Sequence, residues 1–237
     1  MKDPQATPTF PREGIAFLKQ LKAHNDRDWF NDHKADYKRL VEEPVKELVL
    51  GVSAACRKRG LPLHVKEKTP VFRVYRDIRF SKDKTPFKTH VGAEMRRSFS
   101  NSECLLYMHF SPQECFLGAG VWQTGKDLLG AWRTSMIEDP DRFQKMIAAL
   151  GRKKLALGDE HSLSSMPRGF QNYADQPIGK WLKLTSFIVH RPLTIAEALG
   201  PEMVDTAVQF ALAAKPLFDY AWNIEDKHNA RPVLLQG

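Results

Sequence analysis

Between Arg73 and His90 the chain reads RVYRDIRFSKDKTPFKTH, and nearly all of its unusual chemistry sits there. The guanidinium forks of Arg73, Arg76 and Arg79, the ammonium groups of Lys84 and Lys88, and the hydroxyls of Ser81, Thr85 and Thr89 together suit a phosphate or a carboxylate. Asp77, Asp83 and His90 are the groups within it able to move a proton, so they are the catalytic candidates. Asp77 and Asp83 also fit a Mg²⁺ held beside a phosphate, yet two acids among so many cations are more simply their ion-pair partners. The same composition fits a structural salt-bridge network that fixes a strand-to-loop turn. Phe72, Tyr75, Phe80 and Phe87, interleaved with cations, also suit stacking on nucleic-acid bases.

The charge points to the same place. Arg57 through Arg97 holds thirteen Lys or Arg against four acids, 13 − 4 = +9, whereas the whole chain carries +8, so the remainder sums to −1. An excess confined to forty-one residues predicts an anionic partner: an anionic small molecule first, nucleic acid as the alternative. Both an enzyme acting on a phosphorylated or acidic metabolite and a nucleic-acid-binding or protein-interaction module remain open.

Other chemistries find less support. The phosphate-cradling pattern GxxxxGK[ST] is absent, and Gly118 with Gly120 is too little for a dinucleotide fingerprint. Eight histidines form no HExxH, HxH or Cys/His cluster, so neither a metal nor any other cofactor is indicated. No GxSxG elbow marks a nucleophile. Cys56, Cys104 and Cys115 form no CxxC pair and read as small buried hydrophobes in a reducing, cytoplasmic setting. No run approaches the roughly 20 apolar residues of a membrane span, and the first residues lack the apolar core of a signal peptide.

The segment resembles the signature RxxRDxRFSxDKTPYK of a bacterial family catalogued as domain of unknown function 2461. Trp29-Phe30 with His33, Lys34 and Tyr37, the stretch Gly118 to Trp122, and Pro167-Arg168-Gly169-Phe170 are similar to that family's other landmarks, so the resemblance runs from about Phe10 to about Trp222. It implies membership and no activity. Phe87 stands where the family usually has Tyr, so this chain lacks a phenol hydroxyl there.

The elements that must position these residues follow from periodicity. Helices are predicted over Phe10 to Leu21, from an N-cap at Asn25 through Trp29, His33 and Tyr37, and from Pro44 to a stop at Gly60 with Val45, Leu48, Val49, Val52 and Cys56 inward. Near Val71 the period changes to two. Residues 71–80, 91–96, 104–110 and 115–122 read as strands, joined closely enough to pair antiparallel. In the first of these, Arg76 falls among Phe72, Val74, Ile78 and Phe80, which predicts a buried arginine with a paired acid. Glycines in the last predict close backbone approach. Further helices are predicted after caps at Thr124 and Asp139, a loop over 152–179, a strand over 182–190, and a last helix from Gly200 interrupted at Pro216.

The expected fold is therefore α+β: a single domain over residues 10–222, with a mainly antiparallel sheet of four or five strands packed against helices from both ends of the chain. A flexible tail over 1–9 and a polar tail over 223–237 flank it.

Overall fold

The computed structural model describes residues 7–66 and 70–230. Helix α1 (Arg12–Ala23) buries Phe17, Leu18 and Leu21, as their spacing requires. The next helix is capped by Asp26, whose carboxylate accepts from the Trp29 N–H at 2.9 Å, and not by Asn25. Asn25 instead bonds to a distant backbone, described below. The single helix expected through Trp29, His33 and Tyr37 is broken at His33 into α2 (Arg27–Asp32) and α3 (Lys34–Tyr37). A π-helical turn (Lys38–Glu42) leads into α4 (Glu43–Lys58), with Pro44 in its first turn and Val45, Leu48, Val49, Val52 and Cys56 buried.

The fold is α+β, built on one five-stranded antiparallel sheet in the order β1 (His64–Val65), β2 (Val91–Arg96), β3 (Leu105–Phe110), β4 (Cys115–Val121), β5 (Phe187–Leu193). On one face Val91, Ala93, Met95, Leu106, Met108, Phe110, Cys115 and Leu117 are buried. The opposite face carries Gly92, Glu94, Tyr107, His109 and Phe116, because successive strand residues point to opposite sides.

Residues 71–80 are not a strand, contrary to the alternation. Val71 and Tyr75 make only single bridges, to Ala93 and Phe87. Phe72 and Phe80, expected in the core, are exposed, and only Val74 is buried. The backbone here makes isolated bonds, Phe72 N–H to Gly92 O (2.9 Å) and a short pairing of Val74 and Arg76 with residues 86–88, in place of a continuous ladder.

After β4 come α5 (Lys126–Glu138), α6 (Pro140–Arg152) and α7 (Gly179–Leu182). Asp139 caps α6, donating nothing and accepting from the Arg142 N–H at 3.0 Å. Thr124 does not cap α5; Gly125 occupies the N-cap, and the Thr124 hydroxyl is buried with no hydrogen-bond partner among the described residues. The strand expected over 182–190 is displaced to 187–193. Helix α8 (Ile195–Leu199), which the periodicity did not reveal, is set by a full capping box between Thr194 and Glu197. Helices α9 (Met203–Ala213) and α10 (Lys215–Asn229) meet just before Pro216. Helix α10 runs on through the stretch read as a polar tail, because Ile224 and Glu225 are buried. Residues 1–6 and 231–237 of the expected tails lie outside the described residues.

The chain divides into two compact units. The first takes the described residues through Met95, with Leu106–Leu117 and Arg191–Phe210. Phe10 against Phe110 (5.1 Å) and Phe30 against Phe87 (4.2 Å) lie in its core. The second takes Arg96–Leu105, Gly118–His190 and the described residues from Ala211. Trp132 stacked on Phe187 at 4.0 Å centres its core. Gly120, at φ +130°, lies so close to the Phe187 carbonyl that a Cβ would collide with it. The close approach expected of this glycine is thereby realised.

Candidate functional site

The cationic segment is anchored at Phe87. Its ring is buried and stacks on Phe30, and Asn25 brackets its backbone, donating from Nδ2 to the Phe87 carbonyl and accepting from the Phe87 N–H, both at 3.0 Å. Residues 74–76 then run antiparallel to 86–88, through Arg76 N–H to Pro86 O (2.9 Å) and Lys88 N–H to Val74 O (2.7 Å). Between these short arms hangs a loop over 77–85.

The loop is tied by its own side chains. Arg76 donates to the Asp83 carboxylate at 2.5 Å and to the Thr85 hydroxyl, while Asp83 accepts from Thr85 N–H and Oγ1 at 2.9 Å each. Arg79 grips Asp77 through Nε (2.9 Å) and Nη2 (2.7 Å). Lys84 donates Nζ to the Ile78 carbonyl at 2.9 Å. The Thr85 N–H, then Arg76 and the Thr85 hydroxyl, hold Asp83 down to about 2, and the Arg79 hydrogen bonds lower Asp77. Both acids are thus ionised ion-pair partners. Arg76 has the paired acid expected of it but not the burial: its side chain is 27% exposed and that of Asp83 59%.

Arg73, Lys88 and His90 are placed differently. Among the described residues neither Arg73 nor Lys88 pairs with a carboxylate. Lys88 is half-buried, its ammonium 5.8 Å from the Phe72 ring centre, and its pKa is lowered by burial and then by the charge on Arg73. His90 is lowered by burial and then by Lys88, with Glu114 acting against both. The His90 ring lies 4.6 Å from that of His109.

Tyr107, His109 and Phe116 complete this side of the sheet and were not singled out by the sequence. His109 is buried, stacked on Phe116 at 4.6 Å, and pushed down to about 4, by burial first and His90 second. Burial, then Glu94 and Glu114, pushes Tyr107 up to about 12. Tyr107 Oη and His109 Nδ1 share a hydrogen bond of 3.2 Å that either group can donate, according to the imidazole tautomer. Tyr107 fits because it lies across Gly92, where a Cβ would collide with its hydroxyl. The available signal was the spacing of Tyr107 and His109 at i and i+2, which puts two polar groups on one strand face.

Of the five cations read as an anion site, Arg76, Arg79 and Lys84 therefore turn into the loop, while the charge of Arg73 is felt by Lys88 and by Asp77, and that of Lys88 by His90. An exposed Arg73 acting on a half-buried Lys88, with a neutral imidazole beside the latter, can hold a carboxylate or phosphate and exchange a proton with it. Among the described residues no group of three or more His, Cys, Asp or Glu is placed to hold a metal. No helix among them is long and apolar enough to cross a membrane.

Comparison with known proteins adds a family. The family model described as conserved hypothetical protein (DUF2461) matches residues 13–220. No curated protein and no solved structure matches the chain.

Proposed function

The chain belongs to the DUF2461 family of conserved hypothetical proteins, and from that footing we propose that it binds an anionic small molecule, a phosphate or carboxylate, on Arg73, Lys88 and His90. One observation carries this reading. The other three candidate cations are spent on bonds inside their own loop, whereas Arg73 and Lys88 act on one another and neither forms an ion pair with a carboxylate among the described residues. Like charges held close are strained until an anion joins them. His90 and His109, both shifted toward the neutral form, would serve as bases if the bound anion reacts. The three buried free cysteines fit a reducing cytoplasm.

A second reading is favoured by Phe80, which is 96% exposed at the loop tip beside Arg79 and Lys82, with Phe72 and Tyr75 also exposed. Exposed rings among cations suit single-stranded nucleic acid.

A thermal-shift screen separates the two. Inorganic phosphate and phosphorylated sugars should raise the melting temperature, since a ligand that binds only the native state stabilises it. Lys88→Ala and Arg73→Ala should erase that shift, and Arg79→Ala should keep it. Micromolar binding of oligo-dT with a steep salt dependence, lost in Phe80→Ala and unaccompanied by any small-anion shift, would reverse the order of the two readings.

A further inference from the structure

A second site lies in the other unit, independent of the cationic segment. A cavity of about 390 Å³ opens between the β2–β3 turn, the start of α5 and the end of α10. That volume suits a metabolite-sized ligand, at the small end of roughly 300–1,000 Å³.

Its floor is Glu225, only 1% exposed. Glu225 Oε1 accepts from the Glu103 and Cys104 N–H groups, both at 2.8 Å, and Oε2 accepts from Ser102 Oγ at 2.7 Å. A carboxylate offers about four lone-pair positions. Three are filled, leaving one on Oε2 of a group that borders the cavity. Burial still raises the Glu225 pKa against those three hydrogen bonds, so its charge is under-solvated. A cationic donor reaching that oxygen would relieve it.

Another part of the lining is the start of α5, which carries Lys126 beside Asp127. Lys126 is exposed at the start of α5, and among the described residues no side chain caps that thirteen-residue helix. Its first-turn N–H groups and the Lys126 ammonium are suited to a carboxylate. Phe99 and Leu128 supply apolar surface. Arg96 also lines the cavity and holds the turn in place, donating Nη1 to the Ser102 carbonyl at 2.9 Å. The buried Glu225 carboxylate, the ammonium and first-turn amides of α5 with Asp127 beside them, and the apolar surface of Phe99 and Leu128 together define a complement.

We infer that this cavity binds a small zwitterion with an apolar side chain: an α-amino acid or a dipeptide, its ammonium on Glu225 and its carboxylate toward Lys126.

The test is calorimetric titration of the full chain with L-leucine and glycyl-L-leucine, against N-acetyl-L-leucine, which lacks the ammonium, and L-leucinamide, which lacks the carboxylate. Saturable binding of at least one zwitterion is expected, with each blocked analogue weaker by about tenfold or more. Lys126→Ala, an exposed substitution, should weaken the zwitterion about tenfold and leave leucinamide unaffected. Glu225→Gln should abolish binding. If that variant fails to fold, the comparison of zwitterion with N-acetyl-leucine decides the role of the floor. Lys88→Ala should change none of this, which keeps the result separate from the anion site. Equal binding of leucine and its N-acetyl form, or no saturable binding of either zwitterion at about 10 mM, overturns the inference.

Discussion

His109 is the residue whose surroundings make the sharpest demand on solution behaviour. Buried against Phe116 and facing His90 and Tyr107, it titrates near 4 in the folded chain and near 6.5 once unfolded. Between those values the unfolded state binds the extra proton. Stability therefore rises with pH through the window from about 4 to about 6.5, and is fully present above it. The contribution is on the order of 3 kcal/mol, from about 1.4 kcal/mol per pH unit. His90 is depressed as well and acts in the same direction, while Glu114 opposes it. Denaturant unfolding at a series of pH values should show this slope, and His109→Phe should flatten it. An unchanged slope in that variant would assign the dependence elsewhere. The cations of this site were legible in the sequence because Arg and Lys are rarely dense in so short a stretch. Which of them remain available was not, since that depends on whether Asp77 and Asp83 reach Arg79 and Arg76 across the loop. The case of Asn25 is similar: a good cap by type, it is diverted to Phe87, sixty-two residues away, and the adjacent Asp26 takes the helix end.

At the scale of elements, alternation misled over 71–80 because it was produced by exposed cations and exposed rings, not by a buried face. Period-two spacing reports a strand only when one of its two sets is buried, and here Val74 alone is. Strands β2, β3 and β4 were legible because their inward residues are apolar in fact. The loop over 77–85 should behave as a locally braced element. Asp83→Asn removes the charge and one of the two acceptor oxygens that serve Arg76 and Thr85, so amide exchange over 76–86 should speed up while the melting temperature stays within error of the parent, as for an exposed pair. A large drop in melting temperature would show the loop to be part of the global fold. Gly120 makes the opposite prediction. Gly120→Ala forces a side chain into positive φ and against the Phe187 carbonyl, so it should destabilise by at least about 2 kcal/mol in urea unfolding. A near-neutral result would mean that the β4–β5 pairing relaxes easily.

For the molecule as a whole, charge and hydrogen bonding divide the work. Of the thirteen cations behind the +9, Arg76 and Arg79 are paired with Asp83 and Asp77, whereas Arg73 and Lys88 pair with no carboxylate among the described residues. If the small-anion site is the functional one, its affinity should fall only modestly between low and physiological salt, because one or two charges are neutralised. A nucleic-acid surface would fall steeply, with a slope of about −0.7 per phosphate contacted on a single strand. Titration at two salt concentrations reads the difference directly.

The strand order carries a consequence for how the chain is made. β2, β3 and β4 follow one another across links of eight and four residues (97–104 and 111–114), but β5 begins sixty-six residues after β4 ends (187 − 121 = 66). Closing the longer loop costs about 2 kcal/mol more in chain entropy than closing the shortest. During vectorial synthesis the β2–β4 meander leaves the ribosome complete, while β4 still lacks its neighbour and Trp132 its stacking partner Phe187. Until residue 193 emerges, the nascent chain presents an open sheet edge next to Gly118 and Gly120, short of side chains that would guard it. Ribosome-bound chains arrested before residue 187 should recruit holdase chaperones more strongly than chains arrested beyond residue 210, and pulse-labelled refolding should protect the amides of β2 and β3 before those of β5.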